Sequence, residues 1–333
     1  MVAPRELLVR FRSEARPGAW WSRTFERLWP WYERWWLSEG AGPRPGYLEC
    51  ERALETHLPE LVPAWREACE AVGGGDLQAR FLSGWRPPPV IVGCAQAAWG
   101  RDDPFLVRNY DFAPRLWEGI VLRTAWNGRG VIASTDGLFG ALDGINEDGF
   151  CVSLNFGGRR AVGAGFGAPV ILRYLLETCR TVGEAATVLR RVPTHMAYNV
   201  LVMDRTGDFV TAFTAPGQPA RLQRVPVTTN HQGRVTWAAH AEMSATIERE
   251  RVLVERIADR DLDPESFIGS FLEPPLRSTD YEGGFGTLYT AVYRPADQVA
   301  EFLWPGVRIR RSIDDFVEET SAVLELGTAR GGV

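Results

Sequence analysis

The chain has 333 residues, of which 45% are hydrophobic and 24% charged, and its formal net charge is −5. That is globular composition with room for one large domain or two; the acidic balance speaks against nucleic-acid binding, and no apolar run approaches the ~18 residues of a membrane-spanning helix. Five cysteines, at 50, 69, 94, 151 and 179, and four histidines show no metal-ligand spacing. With no leader-like apolar core near the start, this predicts reduced thiols, a cytoplasmic location, and neither metal nor cofactor.

In chain order, residues 20–36 hold six of the 13 tryptophans. Trp20, Trp21, Phe25, Trp29 and Trp36 can share one broad helical stripe, with Arg23, Arg27 and Arg34 on the polar side, although Pro30 should kink or split such a helix. So much aromatic surface is expected to be a packed cover; docking on a lipid surface is the competing reading. Residues 40–46 read as a loop. Leu58, Leu61, Val62, Trp65, Cys69 and Val72 recur at helical spacing, blurred at the start by Pro59 and Pro63 and closed by the glycines at 73–75. Three prolines at 87–89 then stiffen the approach to Val90-Ile91-Val92-Gly93-Cys94.

After Cys94 the pattern turns strand-rich, at 105–112, 131–136, 150–156, 197–204, 208–213, 221–229, 287–293 and 299–304. Two helices interrupt it, over 170–179 and 181–192, the second opening with the capping-box spacing Thr181-x-x-Glu184. A third, amphipathic helix is predicted near 244–259. Hairpins, two central helices and further strands make an α+β layered fold.

Cys94 is the residue that raises a chemical question. A cysteine in an apolar strand is most often a small buried hydrophobe. Here Gly93 leaves the carbonyl before it open to attack, and the next strand carries Arg108 and Asp111. A thiolate needs a nearby positive charge, which Arg108 can supply; a strand-end ion pair with no catalytic part is the bland alternative.

The stretches GCAQAAW (93–99), LVRNYDF (106–112), GINEDGFCVSLNFGG (144–158), VILRYLLETCRTVGEA (170–185), YNVLVMDRTG (198–207), TTNHQG (228–233), TIERERVL (246–253) and GTLYTAVY (286–293) occur in an order that resembles the cysteine branch of the N-terminal-nucleophile hydrolases. The likeness is strongest to the autoproteolytic family typified by fungal acyl-CoA:6-aminopenicillanic acid acyltransferase, with bile-salt hydrolases and penicillin V acylases as more distant relatives. The resemblance implies an αββα four-layer sandwich, with a mainly helical propeptide over 1–93 and a catalytic chain over 94–333. It implies self-cleavage between Gly93 and Cys94, which leaves Cys94 with a free α-amine as its own base, and an amide hydrolase or acyltransferase working through a Cys94 thioester. The implied partner is a small N-acyl amide or acyl donor. The propeptide is expected to stay bound, no integral membrane segment is expected, and a homo-oligomer is left open.

By the same resemblance, Arg108 favours the thiolate and Asp111 holds the α-ammonium or the substrate amine. Asn155 and Asn230 are oxyanion donors, each with the alternative of a simple turn or strand-end cap. Arg249 is the distal arginine, with Arg251 competing for the assignment. Ala95 stands where the fungal enzyme has a hydroxyl residue, so its specificity does not carry over. Tyr198, Asn199 and Tyr289 read as walls or core. The ending at 328–333 is not a peroxisomal address. Two alternatives stay open: a papain-like thiol hydrolase pairing Cys94 with His231 beside Asn230, and a non-catalytic binding protein on the same fold.

Overall fold

The computed structural model describes residues 6–326; the ending at 328–333 lies outside them. The chain opens with strand β1 (Glu6–Ser13), then helices α1 (Ala19–Trp36), α2 (Tyr47–His57), α3 (Val62–Ala71) and α4 (Asp76–Leu82). Helix α1 runs through Pro30 without a break. Proline costs a helix the hydrogen bond to the carbonyl four residues back, here that of Glu26. Both Pro30 and Glu26 are exposed, so water can serve the orphaned oxygen. The buried face is Trp21, Thr24, Phe25, Tyr32 and Trp36, while Trp20 and Trp29 are only partly buried and Arg23, Arg27 and Arg34 face solvent. In the intact chain this helix is a packed cover: Phe81 of α4 sits among Phe25, Trp29, Tyr32, Trp35 and Trp36.

Next come β2 (Gly93–Trp99), β3 (Phe105–Phe112), β4 (Ile120–Thr124), β5 (Val131–Asp136), β6 (Gly140–Asn146) and β7 (Cys151–Phe156). Helices α5 (Ala168–Thr178) and α6 (Val182–Arg191) follow where predicted. The N-cap half of the α6 capping box is present, with Thr181 Oγ1 accepting from the Glu184 amide, a contact worth about 1 kcal/mol; the Glu184 carboxylate reaches one residue past the N-cap and accepts from the Arg180 amide instead of that of Thr181. Then come β8 (Tyr198–Met203), β9 (Phe209–Ala215), β10 (Gln218–Gln223), β11 (Val227–Thr228), α7 (Ala238–Met243), α8 (Thr246–Ala258), α9 (Pro264–Ser270), β12 (Gly286–Arg294), β13 (Val299–Trp304), β14 (Val307–Ser312) and β15 (Glu319–Glu325).

The strands form two sheets, ordered β10-β9-β8-β7-β6-β5-β4-β1-β15 and β11-β2-β3-β12-β13-β14. Helices α5 and α6 cover the outer face of the first, α8 packs on β2 and β11 of the second, and β2 meets β7 between the sheets. These are the four layers, α/β/β/α, that the family resemblance implies. Two features differ from expectation. The single strand predicted over 221–229 is broken at Pro226, which has no amide to give a ladder; β10 ends the large sheet while β11 joins the small one. The segment before Cys94 is also not purely helical. Its β1 lies inside the large sheet, parallel to β4 and antiparallel to β15, and Trp21, Trp36, Trp65 and Phe81 share one buried core with the strands.

Alternation along β2 and β3 positions the chemistry. Side chains of successive strand residues face opposite ways. Ala95, Ala97 and Trp99 pack outward against Phe267 and Leu253 of the helices, so Cys94, Ala98, Leu106 and Tyr110 point into the space between the sheets.

Candidate active site

Cys94 is the second residue of β2, fully buried, and pairs across the ladder with Tyr110. Arg108, one alternation before Tyr110, therefore reaches the same interior face. Its Nη2 donates to Cys94 Sγ at 3.1 Å, and its Nη1 donates to Asp143 Oδ2 at 2.7 Å and to the Leu142 carbonyl at 2.8 Å. Asp143, on β6 of the facing sheet, also accepts from the hydroxyls of Tyr289, at 2.6 Å, and Tyr293. The guanidinium is thus clamped between a sulfur on one sheet and a carboxylate on the other.

In the intact chain, burial pushes the Cys94 thiol up to about 11; the Arg108 charge and the Asp111 backbone N–H pull it down, while the Asp111 carboxylate pushes it up. Arg108 itself is raised: burial works against its charge, and Cys94 and Asp143 more than offset that. At neutral pH the thiol is therefore protonated, and an attack through it needs a base to take the proton.

Asp111 belongs to the other face of the same strands. It pairs with Gly93 in the ladder, and its carboxylate forms an ion pair with Arg249 of α8 and accepts from Thr287 Oγ1 at 2.6 Å. Arg249 also donates to the Pro275 carbonyl at 2.9 Å, whereas Arg251 pairs with Glu255 on the exposed side of α8. Arg108 and Asp111 thus meet the thiol differently: Arg108 through its guanidinium, Asp111 through its backbone N–H, with the Asp111 carboxylate turned behind Gly93 towards Arg249 and Thr287. A Cβ on residue 93 would meet the Asp111 Cβ and the Phe285 ring, both at 3.1 Å, tight contacts that glycine avoids.

The loop after β11 closes the site from a third side. Asn230 Oδ1 accepts the Cys94 backbone N–H at 2.9 Å, and its Nδ2 donates to the Phe156 carbonyl at 3.1 Å. The Asn230 amide donates to Thr246 Oγ1 at 2.7 Å, and Thr246 in turn binds the Thr229 hydroxyl at 2.8 Å, so the start of α8 fixes this loop. Asn155 is a step further out, donating to the Thr228 carbonyl at 2.8 Å, with its Oδ1 unpartnered. Asn230 Nδ2 has one acceptor in the intact chain and so keeps a second N–H for an oxyanion, whereas Asn155 Nδ2 turns both towards Thr228, its carbonyl at 2.8 Å and its hydroxyl at 3.5 Å. Replacing Asn230 by alanine removes both its contacts, and we expect kcat to fall on the order of 10²–10³ with an unchanged far-ultraviolet spectrum.

His231 does not approach the sulfur. Its Nδ1 lies 3.0 Å from Thr246 Oγ1 and its Nε2 3.2 Å from Glu250. Asn199, fully buried, bridges the Thr229 and His231 carbonyls at 2.8 and 2.9 Å and braces the loop after β11. Sequence reasoning missed Asp143, Tyr293 and Thr287 and read Tyr289 as wall or core. A buried aspartate in a strand, in GALDGIN, was the available signal, since strands disfavour aspartate and burial demands partners for it.

An apolar cavity of about 400 Å³ opens beside this cluster. Val92 and Tyr110, the neighbours of Cys94 on its own strand face, form part of its wall, with residues 87–91 and Trp31, Trp35 and Trp36 of α1. Among the described residues no group of three or more His, Cys, Asp or Glu side chains is arranged to hold a metal, and no helix is long and apolar enough to cross a membrane.

Comparison with solved structures finds a mutant conjugated bile acid hydrolase from Clostridium perfringens at 11% identity and TM-score 0.47, covering 71% of this chain and all of that one. An N-acylethanolamine-hydrolyzing acid amidase ortholog from Caenorhabditis elegans matches at 17% identity and TM-score 0.48, covering 69% and 100% of the two chains. Penicillin V acylase from Agrobacterium tumefaciens matches at 14% and 0.36, covering 63% and 74%. No curated protein sequence matches. The family model for acyl-coenzyme A:6-aminopenicillanic acid acyl-transferase matches residues 99–308, a span that includes Arg108, Asp111, Asn155, Asn230 and Arg249 and begins just after Cys94. With more than half its length matched, the chain belongs to the acyl-coenzyme A:6-aminopenicillanic acid acyl-transferase family.

Proposed function

We propose that the protein cuts itself between Gly93 and Cys94 and then makes or breaks N-acyl amide bonds through a thioester on Cys94. The observation that carries this reading is the placement of one residue: Cys94 has Arg108 on its sulfur and Asn230 on the amide that joins it to Gly93. In the first step Sγ adds to the Gly93 carbonyl carbon, the C–N bond breaks with the proton passing to the Cys94 nitrogen, and a thioester forms. Water then cleaves the thioester, giving a Gly93 carboxylate and a free thiol. The released α-amine has an ordinary pKa near 7.7–8.0, suited to act as the base for the next thiol attack. Asn230 and Asp111, already around the Gly93–Cys94 junction, hold that amine; Asn155 and Asn230 supply the amide donors for the oxyanion; Arg249 fixes Asp111.

The acyl group of a substrate occupies the position that Gly93 and the residues before it hold in the intact chain, because both are acyl donors to the same sulfur. Residues 87–92 line the apolar cavity, so the acyl group is apolar. Whether water or an amine takes it decides between hydrolysis and transfer. The β1 strand, hydrogen-bonded on both sides in the large sheet, keeps the 1–93 chain attached after the cut. Incubation with 4-nitrophenyl decanoate is expected to add one decanoyl group to the chain bearing Cys94, as read by mass spectrometry at acid pH. Labelling on another chain or residue contradicts the reading.

A further inference from the structure

The deep wall of the cavity carries a feature that the thioester chemistry does not use. Asp136, the last residue of β5, lines the cavity and lies beside Glu118, which is 8% exposed. Glu118 is tied down, accepting from Tyr32 Oη at 2.6 Å, Thr135 Oγ1 at 2.7 Å and the Leu138 amide at 3.2 Å. Asp136 is held by the Gly137 amide. Neither carboxyl forms a salt bridge among the described residues; the partners of Glu118 are hydroxyls and a backbone amide. Independently, His195 lines the same cavity, is 3% exposed, and has an Nε2 with no hydrogen-bond partner.

Buried charges in proteins are paired; Glu118 is buried and Asp136 is half-buried at the cavity wall, and neither carboxyl has a partner cation. Burial first, and the Glu118 charge second, push Asp136 up to about 7, so near neutral pH the pair sits between holding a proton and holding a full charge. Asp136 pairs with Gly140 across the hairpin, and Asp143, the anchor of Arg108, is three residues further along β6, about 10 Å at the strand rise. The carboxyl therefore lies one medium-length chain away from the sulfur.

We infer that Asp136, backed by Glu118, is a specificity-determining residue that selects ligands with an apolar chain ending in an ammonium group, the chain filling the cavity and the cation completing the unpaired carboxyls. As an acyl-donor subsite this rests on the Cys94 reading above; as a binding site it does not.

The test is binding of decylammonium against decan-1-ol, followed by quenching of the emission of Trp31, Trp35 and Trp36, in the wild type, Asp136→Asn and Cys94→Ala. We expect decylammonium to bind about tenfold tighter than the alcohol at about pH 8. The preference should vanish in Asp136→Asn, with alcohol binding unchanged, and persist in Cys94→Ala. Should Asp136→Asn not fold, the wild type at about pH 5.5 serves instead, because a carboxyl whose pKa is raised is protonated below that value and loses its hold on the cation. The other titratable groups around the cavity stay neutral in this window: Tyr32, Tyr110 and Tyr198 are pushed up and His195 down to about 4, all by burial. Equal binding of the two probes, no binding of either, or a preference that survives both Asp136→Asn and acid pH overturns the proposal. Failure of thioester labelling with the ammonium preference intact overturns only the Cys94 chemistry.

Discussion

Cys94→Ala is expected to leave the chain uncut and to bring acyl turnover to background, while the fold survives. The two effects have separate causes. The sulfur is the atom on which both the self-cleavage and the substrate thioester are built, and removal of a nucleophile of this kind costs on the order of 10⁶ in kcat. Stability changes little. The side chain is fully buried in the layer between the sheets, but only one methylene-sized group is lost, about 1 kcal/mol. Electrophoresis under denaturing conditions, turnover of an acyl amide and a thermal melt together check this. A variant that is cut or that keeps turnover removes Cys94 from the chemistry; one that does not fold is answered by Cys94→Ser, which fills the same space and is expected to be cut slowly.

The second large effect is expected from Arg108→Met. It leaves Asp143 buried without its cation, and breaking a buried pair in this way costs about 3–5 kcal/mol. The hydroxyls of Tyr289 and Tyr293 stay on Asp143, which argues for the lower end. The kinetic effect has a definite sign. Arg108 is one of the influences that lower the thiol from its burial-raised value of about 11. Without it the thiol rises further, the thiolate fraction at a fixed neutral pH falls, and each further unit costs about tenfold. Self-cleavage should therefore slow by about tenfold or more at neutral pH and recover as the pH is raised, whereas Arg108→Lys should keep much of the rate. An unchanged pH profile would reduce Arg108 to a structural clamp between the sheets.

The α+β layering was legible because its signals are local; the four-layer sandwich followed from the family resemblance. Strand alternation, the capping box at Thr181 and the amphipathic pattern of α8 are written in short windows, and each element appeared within a few residues of expectation. What escaped was set by distant pairing. Strand β1 reads as an unremarkable apolar alternation at the chain start; only the places of β4 and β15 beside it make it an interior strand. Pro226 was the available sign that 221–229 is two strands in two sheets. Motif order named Cys94, Arg108, Asp111, Asn230 and Arg249, which lie near one another in the fold, but it carried no information on strand faces. Parity along β3 sends Arg108 to the sulfur and Asp111 to the opposite side, towards Arg249. Asp143 was missed although an aspartate in the strand GALDGIN was a signal, because its partners Tyr289, Tyr293 and Arg108 come from the other sheet.

The most direct test of Cys94 as a self-exposed N-terminal nucleophile is the intact mass of the purified wild-type protein under denaturing conditions. The account predicts two species, residues 1–93 and 94–333, eluting together before denaturation, with Cys94 as the first residue of the larger. A single uncut chain of 37.2 kDa that nevertheless turns over acyl amides at full rate would contradict it.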